Sequence, residues 1–251
     1  QMGAIALLRQ ALLDAQWSAR TKVHDHDVTL AALAQQLSGR LVVEGADRNE
    51  LLRWSALLRE FGVTPIAKGG GDEYARLKAI KSTAMPLLLP LRLPEAYDVE
   101  DPYDAQEVTF ARLKHWELAP YNAHRVDTAG IAFAFTTHGR TDLKDLWKDL
   151  RRMVACGLDT ARALEAMTTD AARLFGLDDR HGTLAPGMSA DLIVTSSHPL
   201  DEHNIIHETW VAGDRYVHVD PDLAELAGTY DLNLGDAIWK LTVKGVPAKL
   251  E

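Results

Sequence analysis

Four short apolar runs, each followed by an amphipathic segment, set the rhythm of the first two thirds of this chain. They are "RLVVEG" (40–45), "VTPIAKGG" (63–70), "MPLLLPL" (85–91) and "GIAFAFTT" (130–137). Between and after them the apolar positions recur at helical spacing. That pattern predicts helices from Asn49 to about Phe61, and over about 72–81, 106–118 and 142–156. The last of these carries Leu143, Leu146, Trp147, Leu150, Met153 and Val154 on one face. Continuous apolar runs separated by helices indicate parallel strands, which are buried on both faces and joined by crossovers.

The flanking regions differ. Residues 2–18 place Ile5, Leu8, Leu12 and Ala15 on one helical face, and Asp27 is expected to cap a second helix ended by Gly39. After Gly157, "LDTARALEAMTTDAARLFGL" reads as a helix capped by Asp159 or Thr160, then a shorter one ending at Gly176. From about residue 181 the texture becomes alternating segments with turn residues between them, among them "GTLAPGMSADLIVTS" and "ETWVAGDRYVHV". The expected organisation is a β/α portion over 1–180, with its recognisable units from about 40, and a β-rich portion over 181–251.

Four β-α units make either half of an eight-stranded barrel or a small open sheet. In both, functional residues belong at the C-terminal ends of the strands. Those ends are Glu44-Gly45, Lys68-Gly69-Gly70, Leu91-Arg92 and His138-Gly139-Arg140. Glu44, Lys68 and His138 are therefore the candidate catalytic residues, and Gly69, Gly70, Arg92, Glu95 and Arg140 the candidate substrate-binding ones. Each has a plain alternative. His138 can be a hydrogen-bonded strand-end residue, and the acidic loop 92–105 either a binding loop or a solvated connection. "KGGGDEY" offers glycines before a helix, where an anion could be cradled, without matching a known phosphate-binding fingerprint.

Composition narrows the classes. The 251 residues are 47% hydrophobic and 25% charged, ordinary for a globular chain. A net charge of -9 argues against a nucleic-acid partner. No run approaches the ~18 apolar residues of a membrane span. No signal peptide is legible, which leaves the compartment open. The single cysteine, Cys156, excludes an internal disulfide and a cysteine-rich zinc site, and is expected to be a small core residue.

The stretch "LEAMTTDAARLFGLDDRHGTLAPGMSADLIVTSSHPL...ETWVAGDRYVH" resembles the amidohydrolase superfamily, especially its imidazolonepropionase-like branch. Thr168, Ala171, Gly176, Gly182, Pro186, Gly187, Ala190, Asp191, Leu192 and Gly213 match the C-terminal signature in order and spacing. The resemblance extends back to about residue 40. It implies an α/β fold: the C-terminal half of a TIM-type (β/α)8 barrel with a small β-sandwich appendage. It also implies a hydrolase acting on non-peptide carbon–nitrogen bonds of a small molecule. Within the signature, Gly187 is expected to take a backbone conformation that a Cβ disfavours. Asp191 is expected to satisfy backbone donors rather than perform chemistry.

Family members hold a metal with an HxH on the first strand, histidines ending the fifth and sixth, and an aspartate ending the eighth. The metal lowers the pKa of bound water. By the resemblance, Glu44 stands at the fifth position, Lys68 or Gly69 at the sixth, and His138 replaces the aspartate. No strand carries HxH; "HDHD" (His24 and His26) lies in a polar linker. The expected mouth is polar and metal-free, the metal site being degenerate or incomplete in this chain. Glu44 and His138 are the ligands if any metal binds. Zinc or another divalent ion is expected only where a missing N-terminal half-barrel or a second subunit completes the set. Such a partner is also expected because four strands alone leave an apolar face and two raw edges. The alternative is a non-catalytic homologue that keeps the fold for binding or as a scaffold.

Overall fold

The computed structural model describes residues 2–21, 27–219, 228–234, 237–244 and 249–250; the "HDHD" pair, His24 and His26, lies outside them. The chain divides into two compact units, Gln1–Thr183 and Leu184–Glu251. The first begins with helices α1 (Met2–Arg20) and α2 (Val28–Ser38). Asp27 caps α2, its carboxylate accepting from the Thr29 and Leu30 N–H groups.

Then come β1 (Val42–Glu44), α3 (Arg48–Arg59), β2 (Ile66–Lys68), α4 (Leu77–Lys81), β3 (Leu87–Pro90), α5 (Pro102–Glu107), α6 (Phe110–Leu118), α7 (Asn122–Thr128) and β4 (Phe133–Thr136). Helices α8 (Leu146–Ala155), α9 (Thr160–Met167) and α10 (Thr169–Phe175) complete the unit. The four strands form one parallel sheet in the order β1-β2-β3-β4. Among the described residues, β1 and β4 each pair on one side only.

Parallel register fixes which side chains share a face. Val42, Ile66, Leu88 and Ala134 lie on one side, and one step further along the strands so do Glu44, Lys68, Pro90 and Thr136. Val43, Ala67, Leu87 and Phe133 occupy the other side and are buried. The expectation that the first face would stand open is only partly met. Ile66, Leu88 and Ala134 are buried, with Ala171 and Leu174 of α10 packed against them. Val42, on the β1 edge, remains 45% exposed.

Local signals account for most boundaries. Asp47 caps α3 through the Asn49 and Glu50 N–H groups, while Glu50 accepts from the Ala46 N–H at 2.9 Å, a reciprocal cap. Asp159 caps α9, and Gly176 ends α10 in the left-handed conformation. Three expectations need correction. The helix expected over about 72–81 is a single 3-10 turn, Glu73–Ala75, followed by the short α4 from Leu77, with Arg76 out of helical backbone between them. The helix expected over 106–118 is two helices, because Asp101-Pro102 starts α5 early and Thr109, in extended backbone, caps α6. The helix expected from 142 starts at Leu146. Asp142 turns the preceding segment by accepting from the Lys144 N–H at 2.8 Å, and Leu143 is left exposed.

The second unit holds two antiparallel sheets. One is β5 (Leu192–Thr195), β6 (Ile206–Val211) and β7 (Asp214–Val217); the other is β8 (Gly228–Leu234), β9 (Ala237–Lys244) and β10 (Lys249–Leu250). The fold class is thus α/β, a TIM-type half-barrel with a small antiparallel appendage. Gly187 has φ of 90°, a backbone conformation that a residue with a Cβ disfavours. Asp191 accepts from the Ala212 N–H at 2.7 Å and so supports the Ala212-Gly213 turn joining β6 to β7, where both residues have positive φ.

Candidate functional site

The rim of the parallel sheet is built from strand ends. Residues Glu44 and Lys68 are direct partners in the β1–β2 register, so their side chains leave the same face side by side. The Lys68 ammonium donates to the Glu44 carboxylate. His138, two residues beyond β4, brings its Nδ1 to 3.9 Å from Glu44 Oε1. The three candidate catalytic residues, contributed by β1, β2 and the end of β4, therefore converge.

Their environments differ. The Lys68 side chain is 19% exposed, whereas Glu44 and His138 are open to solvent. The Trp54 indole N–H, from α3, donates to the Glu44 carbonyl at 2.8 Å and ties the strand end to its helix. The Lys68 hydrogen bond, and then its charge, hold the Glu44 carboxyl below the usual carboxylate range; His138 adds a smaller pull in the same direction.

The glycines after Lys68 have steric reasons to be there. A Cβ on Gly69 would fall 1.9 Å from Glu73 Oε1, and one on Gly70 would fall 2.2 Å from the Ala46 carbonyl oxygen. The Gly69 N–H already donates to Leu88 O, and that of Gly71 to Glu73 Oε1. Glu73 is fully buried, and burial pushes its carboxyl pKa up. Asn122 Nδ2 donates to its Oε2 at 2.6 Å, and the Tyr74 N–H donates to Asn122 Oδ1 at 2.8 Å. This buried Glu73–Asn122 link between the β2 loop and α7 was invisible to periodicity, because its partners lie 49 residues apart.

Arg92, Glu95 and Arg140 gather elsewhere. They line one cleft of about 330 Å³ between the loops after β3 and β4 and one face of α8. Arg140 is embedded there, its side chain 7% exposed. It pairs with Asp149 at 2.7 Å and donates to Leu91 O and Asp142 O. Arg92 donates to Gly139 O at 3.2 Å, beside His138. Asp149 and Arg152, on α8, are cleft residues that the sequence pattern did not single out.

The donor set can be tested for a metal. A mononuclear site of the superfamily kind needs several neutral imidazoles and a free carboxylate. Here the carboxylate is engaged by an ammonium, and one imidazole stands alone. Among the described residues no three His, Cys, Asp or Glu side chains are grouped to hold an ion. Glu44, Lys68 and His138 by themselves do not fit the ion.

A model of the amidohydrolase family matches residues 121–229, from the start of α7 through β4 to the start of β8. An amidohydrolase from Thermotoga maritima MSB8 shares the fold at 17% identity and a TM-score of 0.70, over 87% of this chain and 57% of that one. A prolidase complexed with N-methylphosphonate-L-proline aligns at 18% identity and a TM-score of 0.52, over 75% of this chain and 48% of that one. A Xaa-Pro dipeptidase with bound methionine gives 16% and 0.51, over 76% and 48%. No curated protein matches. The chain thus spans about half of the length of these structures.

Proposed function

We propose, taking the likeness to the amidohydrolase superfamily as premise, that this chain supplies the C-terminal half-barrel of a hydrolase that cleaves a non-peptide carbon–nitrogen bond of a small molecule. The observation that carries the reading is the convergence of Glu44, Lys68 and His138 at the C-terminal ends of β1, β2 and β4, the rim where such barrels work. Lys68, hydrogen-bonded to Glu44 at the strand ends, is placed to donate a hydrogen bond to a carbonyl oxygen as negative charge develops there. His138 is open to solvent and can take the proton of an attacking water, then return it to the departing nitrogen.

Completion by a further half-barrel, from an N-terminal segment or a second subunit, is part of the proposal. The outer edges of β1 and β4 support it, as does the greater length of the structures that share the fold. Where that half brings the missing histidines, zinc or another divalent ion would supply the activated water, and Lys68 would then have to yield Glu44. A second reading, a non-catalytic homologue, is favoured by one observation: Glu44, at the strand end where the resemblance expects a metal-binding side chain, is ion-paired with Lys68.

One experiment separates the two. Gently purified protein is assayed for bound metal and for hydrolysis of lactams and cyclic amides, with dipeptides as the peptide-bond comparison, alone and with a candidate N-terminal half. The hydrolase reading expects turnover that falls at least a hundredfold in His138→Ala and in Lys68→Met, the usual scale for loss of one proton-transfer or oxyanion-stabilising group. Absence of turnover with every partner and substrate leaves the scaffold reading.

A further inference from the structure

The cleft over α8 leaves part of its charge unpaired. Its floor is the Arg140–Asp149 pair, held by Leu91 O and by the Leu93 N–H at 3.4 Å from Asp149 Oδ2. Asp145 and Lys148 answer each other across one helical turn at 3.9 Å, and Asp142 is met by Lys144 at 3.3 Å. Three charged residues of the lining are then left without an ion pair among the described residues: Arg92, Arg152 and Glu95. Arg152 is laid over the Trp116 ring, 5.4 Å from its centroid, and Arg92 is tethered to Gly139 O. Both guanidinium groups are thereby oriented while retaining N–H groups for a ligand.

Two arginines and one carboxylate in a cleft of 330 Å³ define their own complement. It is a small molecule with two carboxylates and one ammonium. We propose that this cleft binds an acidic α-amino acid, its carboxylates on Arg92 and Arg152 and its ammonium on Glu95. The site stands apart from the Glu44–Lys68–His138 rim and does not depend on any hydrolytic activity. Its nearest link to the rim is the Arg92–Gly139 bond, one residue from His138.

The test is calorimetric titration of the full chain with L-glutamate at low ionic strength, with L-glutamine and glutarate as probes that each lack one of the charges. Saturable binding of L-glutamate, weaker for both analogues and unchanged in His138→Ala, is the expected result. Arg92→Met and Arg152→Met should each weaken it about tenfold, the effect of losing one charge-assisted hydrogen bond. Glu95→Gln should weaken L-glutamate but leave glutarate as it was. All three side chains are exposed, and circular dichroism checks that each variant folds. No saturable binding, equal affinity for the three probes, or arginine variants that bind like the parent would each overturn the assignment.

Discussion

At the scale of single residues, the rim is governed by who neutralises whom. Lys68 cannot be both a partner for Glu44 and a bystander to a cation bound there, because an ammonium and a divalent ion compete for the same oxygen atoms. The glycines beside it obey a different constraint. Gly69 faces the end of a glutamate side chain, which can shift, whereas Gly70 faces backbone, which cannot without moving the β1–α3 turn. Gly70→Ala should therefore destabilise the chain by about 3 kcal/mol, the upper part of the usual overpacking range. Gly69→Ala should cost less. Urea unfolding of both variants gives the comparison, and an unchanged midpoint for Gly70→Ala would contradict the close contact.

At the scale of elements, local chemistry sets boundaries and tertiary contacts set positions. The β6–β7 hairpin shows both. Its Ala212-Gly213 turn is fixed by Asp191, and across the strands Arg215 donates to the buried Glu208, which also accepts from Trp210 Nε1 at 2.9 Å. These donors, Arg215 foremost, hold the Glu208 carboxyl down at about 2. A carboxyl with a lowered folded pKa stabilises the fold above its ordinary value near 4.5 and loses that contribution as pH falls through about 2. Denaturant unfolding at pH 7 and at pH 3 should show an acid-induced loss of stability, and Glu208→Gln should reduce the difference between the two. A variant with the parent's full pH dependence would place the linkage elsewhere.

At the scale of the whole molecule, the open question for the sheet is its edges. The interior face is partly served by α10, whose Ala171 and Leu174 pack on Ile66, Leu88 and Ala134. Nothing among the described residues pairs with the outer side of β1 or of β4. Unpaired parallel edges recruit other strands. Sedimentation of the isolated chain should show concentration-dependent association, reduced by Val42→Lys, which sets a charge on the exposed β1 edge. A monomer at all accessible concentrations would mean that the edges need no partner.

Sequence alone determined the parts of this protein that depend on near neighbours. The β-α alternation, the caps at Asp27 and Asp159, the Gly187 turn and the backbone role of Asp191 are all local: propensity, hydrophobic period and side-chain-to-backbone bonds act over a few residues. It also marked Glu44, Lys68 and His138, because strand ends are legible wherever apolar runs stop. Tertiary structure decided what those residues meet. That Glu73 is buried against Asn122 and that Arg140 is sealed by Asp149 depend on packing between segments distant in the chain, for which periodicity has no signal; the Lys68–Glu44 pair, by contrast, is anticipated by opposite charges at successive strand ends. The split of the 106–118 helix was written locally, in Asp101-Pro102 and Thr109, yet hidden beneath a continuous amphipathic pattern. The covering of the sheet by α10 was decided by packing, since a helix of seven residues shows no preference for one apolar face over another until the sheet is formed.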